Sequence, residues 1–407
     1  MITEKPVGTL YTNKEINIIK KIIKSQKPLT YGKEILKFEK KFSRHLGAKY
    51  SVAVSSCGAA LNISTKLLNI KKGDKVLCQS NAFWVTIVSL LERGADIRVV
   101  DVNPETLNVD INDLKKKINK KTKAIYLVHH GGNPAELDKV NYLSKKFKVP
   151  IVEDCAHALG AKINKKKIGS NSLIACFSFA QHKNISTLGE GGMLVTNNKE
   201  FYENAMGLRS NWPIGKRKKR QVKALGINNK PESPAFMHAG DAWDYDWTKV
   251  KEFGSTYRMS TLQAAVGIEQ LKKLKKLNLI RQKIAKKYTE SISKLEIFKP
   301  IKILKNYKHA WYLYDMLLDE KKCKISRDQI IQILIKKFKI KLKNRYWPIH
   351  LGAIMRMKGN KAGDCPSFEK VWFKNLLSLP IAPSMTSSEI NKILNSLKFI
   401  NDKYKSN

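Results

Sequence analysis

Acidic side chains are in short supply in this chain of 407 residues: 34 aspartates and glutamates face 77 lysines and arginines, a formal net charge of +43. That imbalance excludes an acidic, self-solvating chain and leaves a basic surface to be explained. Cysteine is sparse as well. The six, at positions 57, 78, 155, 176, 323 and 365, are scattered without CxxC or CxxH spacing, so neither a disulfide scaffold nor a zinc site is indicated and reduced thiols are expected. Long apolar runs are missing: nothing reaches the roughly 18 residues that a membrane-crossing helix needs, and Met1 to Tyr11 carries no apolar leader. A soluble, cytoplasmic protein without membrane contact is the expectation. Internal repeats and low-complexity domains are absent too.

What is present is enough apolar residue, 43% of the chain, to bury a sizeable core over about two domains. Asn13 to Lys24 and Ile35 to Leu46 read as helices, and residues 58 to 69 form a third, entered through the small-residue turn Ser55 to Gly58. Short apolar runs then alternate with helical stretches: Lys75 to Cys78, Ile97 to Asp101, Ala124 to Val128, Val149 to Val152, Ile174 to Phe179 and Met193 to Thr196. Such alternation predicts an α/β fold, a mostly parallel sheet with helices on both faces. From about 207 to 250 the pattern gives way to a long polar loop holding Trp212, Trp243 and Trp247, which is expected to face a substrate. A long helix, Ser260 to Leu295, leads to a smaller C-terminal α+β part with a strand near Trp311 to Leu317, a helix from Arg327 to Lys337 and a last helix from Ser387 to Phe399. The cap Thr386-Ser387-Ser388-Glu389 opens that last helix. The divisions expected are 1–259, 260–295 and 296–407.

Two strand ends carry the chemistry. Val152-Glu153-Asp154-Cys155-Ala156-His157 puts an acid after one apolar run, and Lys183 follows the next, ahead of the cluster Gly189-Glu190-Gly191-Gly192. Parallel strands bring such ends to one sheet edge, where ligands bind. A lysine that bonds covalently to a pyridine aldehyde and an acid that pairs with the ring nitrogen are what pyridoxal phosphate chemistry needs. Ser178 lies within reach of the cofactor phosphate. Taken singly, a lysine is most often a solvated surface charge and an acid at a strand end a helix cap. The pairing is what speaks for chemistry.

With these residues in place, the chain resembles the DegT/DnrJ/EryC1/StrS aminotransferases from about residue 8 to about residue 400. Glu153 to Ala161 resembles the family's acid-and-histidine segment, and Thr256-Tyr257-Arg258-Met259-Ser260-Thr261-Leu262-Gln263-Ala264-Ala265 the segment that opens the interdomain helix. Trp347-Pro348-Ile349-His350 and Leu379-Pro380 with Pro383 are similar to its C-terminal segments. The resemblance implies an aspartate-aminotransferase-like, fold type I large domain with a mostly parallel sheet and a smaller C-terminal α+β domain. It implies a pyridoxal-phosphate enzyme moving an amino group from glutamate to a nucleotide-linked ketosugar, a 4-keto-6-deoxy or 3-keto hexose, in amino-sugar or surface-polysaccharide synthesis. A homodimer with shared active sites goes with it. Lys183 falls on the catalytic lysine; Asp154 belongs on the pyridine nitrogen, His157 near the ring hydroxyl, and Ser178 with the backbone of Cys57 and Gly58 on the phosphate. Phe83 aligns with the aromatic that stacks on the ring, although core packing is the plainer use of such a residue. Thr256 is expected at the neighbouring subunit's phosphate, Arg258 at a substrate phosphate or carboxylate, and His350 at the sugar. His130, after a strand, either faces the site or satisfies a polar turn. No metal is expected.

Three positions depart from the family's pattern. Cys57-Gly58 replaces a glycine-threonine pair, Thr256 stands where asparagine is common, and Leu188 lengthens the lysine-to-glycine spacing by one. Members with histidine in place of the lysine are dehydratases, so His182 matters; counting from Ser178 puts Lys183, not His182, at the anchor. A cyclitol ketone as acceptor, sugar-nucleotide dehydration, and a non-catalytic regulator or nucleic-acid binder remain as alternatives. Against the last, lysines are dispersed, as in Lys115 to Lys123, Lys272 to Lys276 and Lys337 to Lys343, with Lys216 to Arg220 the densest block. No nucleic-acid partner is expected; the basic field suits capture of a doubly charged sugar nucleotide.

Overall fold

Helices α1 (Asn13–Lys24) and α2 (Lys33–Leu46) open the chain in the computed structural model, which describes residues 1–30, 32–210 and 252–406. The loop with Trp212, Trp243 and Trp247 and the basic block Lys216 to Arg220 lie outside the described residues. Strands β1 (Tyr50–Val54), β2 (Lys75–Gln79), β3 (Asp96–Val100), β4 (Thr122–Val128) and β5 (Ile151–Asp154) follow, then the short pair β6 (Lys162–Ile163) and β7 (Lys166–Lys167), then β8 (Ile174–Ser178) and β9 (Gly192–Thr196). The main sheet has seven strands in the order β1-β9-β8-β5-β4-β2-β3, and β9 runs against the rest. Both faces are covered, and Ile174 to Ser178 of β8 are buried throughout.

Helices α3 (Cys57–Leu67) and α4 (Val85–Glu92) pack on one face with Ile63, Val76, Val152 and Cys176. The opposite face meets α2 and the long helix Thr261–Ile292 through Phe38, Phe42, Phe177 and Phe179, whose ring centroids lie 5.2 to 6.1 Å apart. Each such pair is worth about 0.5–1.5 kcal/mol beyond burial. Together they fix β8, the strand that leads to Lys183. A Cβ on Gly267 of the long helix would stand 2.7 Å from the Phe38 ring, so only glycine lets that helix close down here.

A second core surrounds a three-stranded sheet in the order β10 (Phe298–Pro300), β12 (Tyr314–Leu318) and β13 (Leu376–Leu379), while β11 (Tyr307–Lys308) joins β6 and β7. Helices Arg327–Lys336 and Ser387–Tyr404 cover it, the latter capped by Thr386 with Glu389. Ile2 is buried in this core, and its amide and carbonyl bond Lys339 and Lys341. The N-terminal segment then crosses to the main sheet, where the Gly8 amide donates to Gln181 at 2.8 Å. Among the described residues no helix is long and apolar enough to cross a membrane.

Two strands of the main sheet depart from expectation in ways that bear on the site. β5 starts at Ile151 rather than Val149 and runs through Glu153 and Asp154, because those two acids pair with Ala175 and Cys176 of β8 in the ladder. β1, unforeseen, is held antiparallel to β9 from Tyr50–Thr196 to Val54–Gly192.

Candidate active site

β5 and β8 are neighbours, and their C-terminal ends deliver the central groups. Asp154, 5% exposed, accepts the Thr86 hydroxyl on Oδ2 at 2.7 Å and the Ala156 amide on Oδ1 at 3.0 Å. The Cys57 thiol lies 4.0 Å from the same Oδ1. Burial, followed by the Asp154 charge, pushes the Cys57, Cys78 and Cys176 thiols up; at Cys155, Glu153 adds to both. These thiols stay protonated and are not nucleophiles.

Lys183 sits in the turn after β8, its amide donating to Ala180 at 2.9 Å, and its Nζ stands 4.2 Å from the centroid of the Tyr312 ring, a cation–π contact. Leu188 at φ +65 and Gly189 at φ +113 carry the chain back to β9, so the additional residue is taken up in the loop beyond the lysine. From the other side, a Cβ on Gly8 would lie 1.9 Å from the His182 carbonyl oxygen; glycine alone lets the N-terminal segment press against this turn.

His157 packs near-parallel to two tyrosines, 4.3 Å from Tyr312 at 20° and 5.6 Å from Tyr346 at 14°, and its Nε2 meets the Tyr346 hydroxyl at 3.0 Å. Its Nδ1 is buried with no hydrogen-bond partner among the described residues. Burial, reinforced by Lys183, His130 and Arg345, holds the imidazole well below its usual range, so it is neutral. Burial would raise the Tyr312 phenol, but the Lys183 and Arg345 cations outweigh it and bring it down; Tyr346 is pushed up by burial and by Tyr312. Arg345 donates to the Tyr312 hydroxyl at 2.6 Å.

The phosphate candidates gather at the entry to α3. The Ser56 hydroxyl accepts the Ala59 amide at 3.1 Å, capping the helix, and the first-turn amides of Cys57 and Gly58 are of the kind that lack intrahelical partners. Gly192 lies against this turn, since a Cβ there would be 2.3 Å from the Ser56 carbonyl carbon. Ser178, 7% exposed, pairs with Gly192 in the ladder. An acid, an amine, a hydroxyl and a helix N-terminus therefore share one sheet edge. With the unpartnered His157 Nδ1, this donor set fits pyridoxal phosphate.

Residues 10–398 match the DegT/DnrJ/EryC1/StrS aminotransferase family. The chain belongs to that family. It is 35% identical over 388 residues to MJ1066, an uncharacterised protein of Methanocaldococcus jannaschii, covering 95% of this chain and 94% of the relative. It is 29% identical over 374 residues to the spore coat polysaccharide biosynthesis protein SpsC of Bacillus subtilis, covering 91% and 90%. Its fold superimposes with a TM-score of 0.82 on Helicobacter pylori PseC, an aminotransferase of pseudoaminic acid biosynthesis, at 25% identity over 98% of this chain and 99% of that one.

Some of the residues suggested by the family's motifs lie deep in the fold. His350 is fully buried, its Nε2 on Glu369 at 2.8 Å, and Glu369 also takes the Gly363 and Cys365 amides. That bond pins the 350–369 segment, while His350 Nδ1 is buried with no hydrogen-bond partner among the described residues. His130 is likewise enclosed, 1% exposed with Nε2 3.2 Å from Asp315 Oδ2, and its ring centroid lies 6.3 Å from that of His157. Phe83 is 40% exposed with its ring 5.0 Å from Tyr346, at the mouth and not in the core. The Thr256 to Arg258 stretch runs beside the α3 entry, where the Ser55 amide donates to the Tyr257 carbonyl at 2.7 Å; Thr256 is exposed and Arg258 half-buried.

Thr86, Tyr312, Arg345 and Tyr346 were not foreseen. Tyr346 directly precedes the motif Trp347-Pro348-Ile349-His350, and Tyr312 precedes β12, so both had a nearby signal. Thr86, inside an ordinary helix, had none.

Proposed function

We propose that this family member is a pyridoxal-phosphate-dependent transaminase that moves an amino group from glutamate to a nucleotide-linked ketosugar, a 4-keto-6-deoxy or 3-keto hexose. The observation that carries this is Lys183: its turn leaves β8 beside Asp154 of β5, and its amine stands 4.2 Å from the Tyr312 ring. SpsC acts in spore coat polysaccharide synthesis and PseC in that of pseudoaminic acid, which supports an amino-sugar or surface-polysaccharide role here.

Asp154, Lys183, Ser178 and the amides of Cys57 and Gly58 would hold the cofactor, with Phe83 at its mouth. Bound there, pyridoxal phosphate supplies an electron sink for negative charge at the donor's α-carbon. Asp154, oriented by Thr86 and Ala156, holds a proton at the pyridine nitrogen. Lys183 Nζ takes the proton from the donor's α-carbon and, with the ketosugar as acceptor, runs the transfer in reverse. The Tyr312 π-face steadies the ammonium whenever Nζ carries the proton. Neutral His157, buried against its two tyrosines, walls the site without adding a cation to Lys183 and Arg345. Thr256 and Arg258 complete the site of a second copy in a cytoplasmic homodimer.

Transamination is preferred to dehydration because His182 does not replace the lysine; it is half-buried beside Gln181, one residue off the anchor. Lys183→Ala is expected to lower turnover by about 10⁴-fold while circular dichroism and melting remain those of the native fold. The assay supplies glutamate with a panel of nucleotide-linked ketohexoses and cyclitol ketones. One 2-oxoglutarate per aminated sugar supports the proposal; sugar dehydration with no amine in the product overturns it.

A further inference from the structure

We infer that Arg281, on the buried face of the long helix, is a positioning residue for Lys183: its guanidinium fastens the segment behind the lysine's turn and the residue before Tyr312 to one point, and so sets where the amine stands. The inference rests on the transaminase reading above and adds to it the group that aligns the lysine.

Arg281 is 1% exposed, and burial draws it down to about 10, so it carries its charge at neutral pH. A buried cation is unfavourable unless polar groups meet it. Among the described residues no carboxylate does. Instead Nη2 donates to the Gly8 carbonyl at 2.6 Å, and Nη1 to the carbonyls of Ile381 at 2.9 Å and Trp311 at 3.1 Å. An apolar side chain would fill the space and leave three carbonyls short of a donor; the guanidinium fork reaches all three, from three separate segments.

Two of those carbonyls flank Lys183. Gly8 presses on the lysine's turn, its amide donating to Gln181 at 2.8 Å and its Cα lying against the His182 carbonyl. It ends a segment already moored by Ile2 on Lys339 and Lys341, by Glu4 on Arg345 at 2.5 Å and by Lys5 on Glu389 at 2.5 Å, so Arg281 supplies a mooring beside the lysine itself. Trp311 directly precedes Tyr312, over whose ring Lys183 Nζ stands at 4.2 Å. Its backbone lies at φ +54, a left-handed conformation that a bulky residue keeps only where its neighbours impose it. Arg281 holds its carbonyl, and His309 Nδ1 accepts its amide at 2.7 Å.

One turn earlier on the same helix, Asn278 continues the brace. Its Oδ1 accepts from Asn184, the residue after Lys183, at 2.9 Å, and its Nδ2 donates to the Leu159 carbonyl at 3.0 Å; Asn184 also donates to the Ala310 carbonyl at 2.9 Å. The backbone of Lys183 and the ring beneath its amine are thereby both referenced to the Asn278–Arg281 face.

The test separates rate from binding. With holoenzyme and L-glutamate alone, Arg281→Met is expected to lower the limiting rate of 2-oxoglutarate release about 100-fold, the effect of a roughly 1 Å misplacement, while the glutamate concentration for half-maximal rate stays within about 2-fold. Arg281→Lys, which keeps a charged donor, should recover about 10-fold of that loss, and it decides the question should Arg281→Met not fold. A second readout needs no cofactor. Limited acetylation of the cofactor-free chain, followed by mass spectrometry, should label Lys183 about 5-fold faster in both variants as its contact with the Tyr312 ring loosens, with the exposed Lys199 labelled alike in all three proteins. A merely structural role would lower the melting temperature and leave both the rate per folded molecule and Lys183 labelling unchanged; that result overturns the assignment, as does weaker glutamate binding with the limiting rate intact. If wild-type holoenzyme releases no 2-oxoglutarate, it is the transaminase reading that fails, and the labelling alone then decides the role of Arg281.

Discussion

Glu153 and Asp154 are neighbours on β5, both acidic and both buried, at 6% and 5% exposure, yet strand alternation turns them to opposite faces. Glu153 is enclosed. Its Oε1 accepts the Ser172 hydroxyl at 2.5 Å and its Oε2 meets His129 Nε2 at 3.1 Å, while His129 Nδ1 accepts the Ala135 amide at 3.0 Å, which places the ring proton toward Glu153. His129, Glu153 and Cys155 have the ligand atoms of a metal site within 4.8 Å of one another, but these hydrogen bonds already explain the cluster as a clamp between the β4 exit and β5. Asp154 takes the Thr86 hydroxyl on Oδ2 and the Ala156 amide, with the Cys57 thiol at 4.0 Å, on Oδ1, and looks onto the edge where Lys183 turns. A single step along the chain separates an acid that holds the fold from one poised for chemistry.

Exchanging each acid for its amide is the sharpest way to break the comparison. Asp154→Asn should cost turnover about 10²–10⁴-fold and leave the melting temperature nearly unmoved. Glu153→Gln should do the reverse, losing about 1–3 kcal/mol of stability as the His129 N–H and an amide N–H compete, with turnover per folded molecule retained. Urea unfolding beside steady-state kinetics reads both; equal kinetic losses in the two variants would abolish the distinction.

Acid should weaken the fold next. His157 on the Asp154 face is held well below the ordinary histidine range, and His309, stacked on Trp311 at 4.0 Å, is driven down by burial and His130 to about 3. The unfolded chain therefore binds protons that the folded chain refuses. This contribution is fully present above about pH 6.5 and is lost as the pH falls toward those depressed values, roughly 2 kcal/mol per imidazole by pH 5. A urea midpoint that does not fall between pH 7 and pH 5 would contradict the neutral, buried state. The smallest change expected is from Thr86→Val, which removes one donor from Asp154 and should slow turnover only about 5-fold, near 1 kcal/mol.

Legibility in the sequence followed the range of the signal. Lys183, Asp154 and Ser178 sit at strand ends whose apolar runs are visible, so the parallel sheet and its ligand edge were readable from local pattern. The wall opposite was not. Tyr312, Arg345 and Tyr346 come together only when β12 and the 345–350 segment fold over the main sheet, and Glu4 arrives from the other end of the chain. His350 shows the same limit: its motif is local, but its partner, Glu369, is set by tertiary packing. The β5 boundary slipped because two acids in succession do not look like strand until a neighbouring strand pairs with them.

Trapping the lysine tests the central claim most directly. Purified protein loaded with pyridoxal phosphate, reduced with borohydride and digested should carry the cofactor mass on the peptide containing Lys183, and Lys183→Ala treated alike should carry none. A reduced protein with no such mass, or with it on a different lysine, would contradict the account.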